Sequence, residues 1–106
     1  MPIMKRIMDA AGHPNVGLCW NSNAADLAGE GLAANFNLVK RRLGGTAHVR
    51  PLDSRDYPFA ELIGLFVQMD YDGWLLLEAG GTPKEPVQAL IQQRTLFEKY
   101  VADAQA

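Results

Sequence analysis

Three side chains that can do chemistry occur where apolar runs of the sequence end. Asn21 follows one apolar run, His48 lies in a second, and Glu78 comes directly after a third. His48 follows Asn21 by 27 residues and Glu78 follows His48 by 30, about the length of one strand-helix unit. An amide oxygen, an imidazole and a carboxylate at similar heights could bind Mn²⁺, Mg²⁺ or Zn²⁺. The glutamate could equally act as a general base beside a carbonyl substrate.

Short apolar runs alternate with helical patterns along the chain. The apolar runs predict three strands, over 16–20, 47–52 and 74–77. Apolar residues at helical spacing predict four helices, over 2–11, 32–43, 59–69 and 87–101. This alternation predicts an α/β fold with a parallel sheet, in which chemistry lies at the carboxyl ends of the strands. We expect the first and third strands to be buried on both faces, and Gly44-Gly45 to end the second helix.

Each candidate residue also has a structural interpretation. Glu78 could be a solvated loop residue, His48 a hydrogen-bonded core histidine, and Asn21 a turn cap. Trp20 could be a sugar-stacking platform or a core residue. Cys19 is expected to be a small buried hydrophobic residue.

A glycine-rich loop, Gly80-Gly81-Thr82, precedes the last predicted helix. Backbone amides of such a loop could cradle a phosphate group at the start of the helix. The alternative is a flexible connection with no ligand. A lone Gly-Gly pair does not distinguish the two.

The composition excludes several classes of protein. Hydrophobic residues make up 48% and charged residues 21% of the 106 residues, which argues against disorder and fits one domain over 1–106. A net charge of −2 and no basic run longer than Lys40-Arg41-Arg42 give no support for nucleic-acid binding. The single cysteine rules out an internal disulfide. No apolar run is long enough for a membrane span and the first residues lack a signal-peptide pattern, so we expect a cytoplasmic protein.

Four segments carry a resemblance to a known family. They read Val16-Gly-Leu-Cys-Trp-Asn21, Ala47-His-Val-Arg50, Tyr71-Asp-Gly-Trp74 and Leu77-Glu78. With Tyr57-Pro58-Phe59 before an amphipathic helix, they resemble the last three strands of the xylose-isomerase-like TIM barrels. This is the sugar phosphate isomerase/epimerase superfamily, which also contains the endonuclease IV group. The resemblance covers nearly the whole chain, from about residue 14 to residue 100.

The resemblance implies a metal held by carboxylates and a histidine, and two glutamates that shuttle a proton beside a sugar carbonyl. Glu78 matches the last glutamate, which is both ligand and acid/base, and His48 matches the histidine ligand. Asn21 falls where the family has the aspartate of an Asp-x-x-His motif. The motif here ends in Ala24, so both of its usual side chains are missing. Asn21 can still donate an amide oxygen to a cation.

Two further residues are assigned to the substrate. Arg50 lies two residues after His48 and is placed for a substrate phosphate or carboxylate. Trp20, next to Asn21, is assigned to contact with the sugar ring. The expected partner is therefore a small sugar or sugar phosphate, with neither nucleic acid nor membrane.

A complete TIM barrel needs eight strand-helix units and about 250 residues. Three strands make a partial barrel with open sheet edges and an uncovered inner face. The chain is then a fragment of a longer protein, a diverged small protein or a homo-oligomer that completes its sheet, and we expect the last. The expected function is metal-assisted proton transfer beside a sugar carbonyl. The alternative is a non-catalytic truncated barrel that acts as a binding or assembly module. Hydrolysis of abasic DNA is a third possibility, which the acidic charge balance disfavours.

Overall fold

A computed structural model describes all 106 residues and shows four α-helices and a three-stranded parallel sheet in the order β1-β2-β3. The helices are α1 (Pro2–Ala11), α2 (Leu32–Val39), α3 (Phe59–Gln68) and α4 (Pro86–Gln105). The strands are β1 (Leu18–Asn21), β2 (Leu43–Val49) and β3 (Trp74–Leu77). Two short 3-10 helices cover Ala24–Leu27 and Lys40–Arg42. The predicted α/β class, helix number and parallel sheet are confirmed.

Proline and glycine residues set the ends of several helices. Pro2 and Pro86 stand in the first turns of α1 and α4, where the missing N–H and the fixed φ do no harm. α1 ends at Gly12, whose φ of 57° lets its N–H bond the carbonyl of Met8. None of the four helices combines the length and apolar character that a bilayer span requires.

The chain divides into two compact units, and the first comprises Met1–His48 with Asp72–Leu76. α1 and α2 contact each other in this unit. Its core contains Trp20, which is 1% exposed and packs against Phe36 with ring centroids 5.3 Å apart. The other buried apolar residues of this unit are Met8, Leu18, Leu32, Val39 and Ala47.

The second unit comprises Val49–Tyr71 and Leu77–Ala106. Here α3 packs along α4. The core lies on α3 and in the segment before it, and its residues are Val49, Leu52, Tyr57, Phe59, Leu62, Ile63 and Phe66. α4 itself has no buried residue.

β2 begins earlier than its pattern predicts, because Gly44 and Gly45 lie within the strand instead of ending the helix. The helix ends through the 3-10 turn at Lys40–Arg42, after which the chain enters β2 directly. Leu18 pairs with Leu43 and Trp20 with Ala47, so three residues of β2 stand opposite one residue of β1. This bulge is what accommodates the two glycines in a strand.

The strands are not buried on both faces, so that expectation is wrong. In β1, buried Leu18 and Trp20 alternate with exposed Cys19 and Asn21. The Cys19 thiol is free and exposed, which also corrects its expected burial. In β3, Trp74 is 74% exposed. Both faces of a sheet are buried only where another layer covers each of them, and no layer of this chain covers these side chains.

Candidate functional site

Asn21 and His48 are direct partners in the register of the two parallel strands β1 and β2. Asn21 is the last residue of β1, and His48 is the last but one of β2. Because alternate residues of a strand point to opposite faces, exposed Asn21 and half-buried His48 lie opposite buried Trp20 and Ala47. An amide and an imidazole are therefore side by side at the carboxyl ends of two strands, as the sequence spacing predicts.

Three polar side chains hold the backbone just after β1. The Ser22 hydroxyl donates to the His48 carbonyl oxygen at 3.1 Å, which ties the two strand ends together. The Asn23 side-chain amide donates to the Asn21 carbonyl at 2.8 Å, and its oxygen accepts the N–H of Ala25 at 3.1 Å. The buried Asp26 carboxylate accepts the N–H of Asn23 at 3.0 Å and so closes a capping box. Four hydrogen bonds therefore hold the turn that follows β1.

Glu78 lies in the second unit and is exposed. It is the first residue after β3, and its backbone N–H donates to the Val49 carbonyl at 2.8 Å. The bond anchors the backbone that carries the carboxylate. The role of Glu78 as acid/base or ligand stays a prediction.

Arg50 is fixed by neighbours within the second unit. Its Nη1 donates to both carboxylate oxygens of Asp56, at 3.1 and 3.3 Å, and its guanidinium lies 5.8 Å from the Tyr57 ring and 5.7 Å from the Phe59 ring. The Ser54 hydroxyl donates to the same carboxylate at 2.5 Å. The Ser54 hydrogen bond and then Arg50 hold the pKa of Asp56 below its ordinary value. Asp56 therefore stays ionised beside Arg50, and a substrate anion would have to share this guanidinium with it.

Trp20 does not offer its ring to a substrate, because it is 1% exposed and packs against Phe36. The core interpretation of Trp20 fits this position and the assignment to substrate contact does not. Its indole Nε1 is buried without a hydrogen-bond partner. Such a group costs stability, and burial of the large apolar ring offsets that cost.

A protein metal site brings several ligating side chains close together. No group of three His, Cys, Asp or Glu side chains comes together that could hold one. Asn21 supplies a neutral oxygen where a carboxylate would offset the charge of a divalent cation. Binding of Mn²⁺, Mg²⁺ or Zn²⁺ stays a prediction.

The sequence analysis missed one polar residue of this sheet face. Thr46 is exposed, and its hydroxyl donates to the Cys19 sulfur at 3.8 Å. Thr46 was not considered because the predicted second strand began at Ala47. The polar–apolar–polar order of Thr46, Ala47 and His48 could have predicted this position, because alternation in a strand puts Thr46 and His48 on the same face.

We compared the chain with known protein families, with curated proteins and with solved structures, and none of them matches it. Membership of the sugar phosphate isomerase/epimerase superfamily therefore stays a prediction. It is carried by the quoted segments and by the residues at the strand ends.

Proposed function

We propose that the chain is a sugar phosphate isomerase/epimerase-like protein that binds a sugar at the carboxyl ends of β1 and β2. The observation that carries this proposal is the register pairing of Asn21 with His48. An amide and an imidazole can each donate to and accept from hydroxyl groups, as a polyol requires. The Ser22 bond to His48 supports the proposal because it fixes the spacing of the two strand ends.

The proposed reaction is proton transfer at the carbon beside the sugar carbonyl. A carboxylate takes the proton from that carbon, the electron pair passes to the carbonyl oxygen, and return of a proton to the neighbouring or the same carbon gives the isomer or epimer. The resemblance assigns the proton transfer to Glu78. The other proton-transferring glutamate of the family has no counterpart among the segments quoted.

Sugar binding is tested with a neutral ketose, D-fructose, titrated into ¹⁵N-labelled protein. We expect saturable shifts of the amide resonances of Asn21, Ser22 and His48. His48→Ala should abolish them, whereas His13→Ala, which removes the other histidine from a loop before β1, should leave them intact. Shifts that are absent, or that survive His48→Ala, would contradict binding at this site.

Proton transfer is tested by deuterium uptake. Incubation of a ketose or aldose phosphate in D₂O should place deuterium at the carbon beside the carbonyl. Glu78→Gln should stop the uptake, and Glu30→Gln, a matched change at an exposed loop position, should not. Binding without any deuterium uptake would support the non-catalytic alternative.

Self-association is the second candidate, and the exposed face of α4 favours it. Val87, Leu90 and Ile91 are 68%, 60% and 51% exposed and lie at helical spacing on one face, the α4 stripe, which continues to Phe97. Apolar faces of this kind mark interaction sites. We propose that the occupant is a second copy of the chain.

Charge complementarity supports a second copy. Arg94 and Glu98 lie within the α4 stripe and form an ion pair of 2.9 Å within their own helix. If two stripes pack antiparallel about a two-fold axis that passes at residue 96, Arg94 of each helix lies opposite Glu98 of the other and Ile91 lies opposite Val101. The stripe is therefore complementary to itself.

Light scattering on a sizing column measures the native mass and tests this candidate. We expect a dimer that Leu90→Glu converts to a monomer. Gln92→Glu adds the same charge at an exposed position outside the stripe and should leave the dimer intact. A monomer of the unaltered chain would exclude this candidate without affecting the sugar-binding proposal.

A further inference from the structure

A second concave site lies in the first unit at the start of the sheet, at the opposite end of β1 and β2 from Asn21 and His48. This basal pocket is formed by residues of two segments, His13–Cys19 and Arg41–Thr46, and has a volume of about 400 Å³. No acidic residue lines it. Arginine, histidine and backbone groups line it in a chain whose net charge is −2, so its local charge differs in sign from that of the chain.

Backbone makes one wall of the basal pocket. Gly17 lies so close to Gly44 that a Cβ atom on Gly17 would stand 2.5 Å from the Gly44 Cα. Beyond them the bulge of β2 leaves Gly45 and Thr46 exposed, opposite the single residue Cys19. Peptide groups and small side chains therefore border the space, and a ligand can approach them closely.

Two arginines bring positive charge to the pocket. Arg42 is held in place because its Nε and Nη2 donate to one oxygen of Asp9, at 3.3 and 3.1 Å. Lys5 also pairs with Asp9, and the hydrogen bonds from Lys5 and Arg42 lower the pKa of that carboxyl. Arg41, one residue earlier, is exposed and has no acidic neighbour among the lining residues.

His13 adds a hydrogen-bond donor. Its Nδ1 accepts the backbone N–H of Asn15 at 3.1 Å. Because Nδ1 is engaged as an acceptor, Nε2 is the ring nitrogen that can donate to a ligand. Guanidinium and imidazole donors beside exposed glycine backbone are the chemistry that recognises phosphate oxygens.

We propose that the basal pocket binds a phosphate group, with Arg41 as its main charged contact and Arg42 and His13 beside it. The proposal does not rest on sugar binding, because neither Asn21, His48 nor Glu78 lines the basal pocket, although Cys19 and Thr46 lie two residues before Asn21 and His48. The ligand of the pocket is either free phosphate or the phosphate of a small phosphorylated metabolite, and the two share the same contacts.

Inorganic phosphate and glycerol 3-phosphate, titrated separately into ¹⁵N-labelled protein at constant ionic strength, test the proposal. We expect saturable shifts at the amides of Gly44, Gly45 and Thr46. Similar affinities for the two probes would assign free phosphate, and a tenfold tighter affinity for glycerol 3-phosphate would assign a metabolite. Sodium chloride alone should not reproduce the shifts.

Two variants with matched controls separate a specific site from general charge effects. Arg41→Gln should weaken binding about tenfold, whereas Arg55→Gln, an exposed arginine of the second unit, should not change it. Gly45→Asp should abolish binding without unfolding the chain, because a Cβ there meets nothing within 4 Å. Gly81→Asp, equally open, is its control. Absence of saturable shifts, or equal weakening by Arg41→Gln and Arg55→Gln, would overturn the proposal.

Discussion

α3 and α4 pack together in the second unit, yet they use their apolar residues in opposite ways. Four residues of the ten-residue α3 are buried, and Leu62 and Ile63 are 0% and 1% exposed. None of the twenty residues of α4 is buried. The side of α4 with reduced exposure carries Ala89, Gln93, Leu96, Tyr100 and Ala104, and the more apolar α4 stripe lies on another side.

The comparison shows that an apolar stripe predicts an amphipathic helix but not what covers it. α3 places its large side chains in the core of the unit. α4 packs on α3 without burying a residue and adds polar contacts from Gln93 and Tyr100 to Leu52. Its ion pairs, Arg94–Glu98 and Lys99–Asp103, lie within the helix itself. Apolar area on α4 is thus available to a partner, whereas on α3 it is already used for folding.

The largest expected effect tests whether α3 is the stabilising helix. Leu62→Ala should lower the free energy of unfolding by about 2–5 kcal/mol, because it opens a cavity in a fully packed region. The same substitution at Leu90, which is 60% exposed, should change it by less than about 0.5 kcal/mol in dilute protein. Urea denaturation followed by circular dichroism measures both. Equal losses would mean that the α4 stripe is covered and stabilises the fold as α3 does.

A smaller effect tests the polar anchor of α4. The Gln93 side chain accepts the N–H of buried Leu52 at 2.6 Å and donates to Asp53 at 2.8 Å. Gln93→Ala should lower the free energy of unfolding by about 1–3 kcal/mol, since it leaves the Leu52 amide without this acceptor. Gln92→Ala, at an exposed neighbouring position, is the control in the same denaturation experiment. Equal stability of the two variants would show that the Gln93 hydrogen bonds do not stabilise the protein.

A still smaller effect is expected from the Lys99–Asp103 ion pair of α4, whose contribution to stability should fall at alkaline pH. The hydrogen bond to Asp103 raises the pKa of Lys99 above its ordinary value of 10.5. Its contribution to stability is therefore complete below that value and is lost as the pH rises through the higher pKa of the folded state. Thermal melting from about pH 9 to about pH 12 should show a small extra loss that Lys99→Gln removes.

Lys84→Gln serves as the control for this titration, because Lys84 is an exposed loop residue just before α4. Identical alkaline profiles for Lys99→Gln and the unaltered chain would show that the Lys99–Asp103 pair does not stabilise α4. α4 would then depend on its polar anchor, on its contact with α3 and on the Arg94–Glu98 pair.

Much of the fold could be predicted because periodicity is a local property. The bounds of α1 and β3 match their patterns, and helix spacing located α2, α3 and α4. The start of β2 could not be predicted, because Gly44-Gly45 usually ends a helix and its place in a bulge depends on pairing with β1. The predicted burial of strand residues was wrong for a similar reason. Cys19 and Trp74 look like core residues in the sequence, and only the number of layers decides their exposure.

The candidate site was predictable in part. Spacing by one strand-helix unit placed Asn21 beside His48, since equivalent positions on neighbouring parallel strands share a height. Trp20 was misassigned because neighbours in sequence point to opposite faces of a strand, and Trp20 follows the buried alternation. The basal pocket was beyond the sequence, because its two segments meet only through the irregular pairing of β1 with β2 and the close approach of Gly17 and Gly44.

The close approach of Gly17 and Gly44 has a consequence for mutational tolerance. The contact is one-sided: a Cβ on Gly17 would collide with the Gly44 backbone, whereas a Cβ on Gly44 would meet its nearest atom at an ordinary 3.4 Å. A saturation library selected for folded protein should therefore retain only glycine at position 17, small residues at position 44 and nearly any residue at position 45. Natural relatives should show the same order, with position 17 varying least and position 45 varying most, although all three glycines line one pocket.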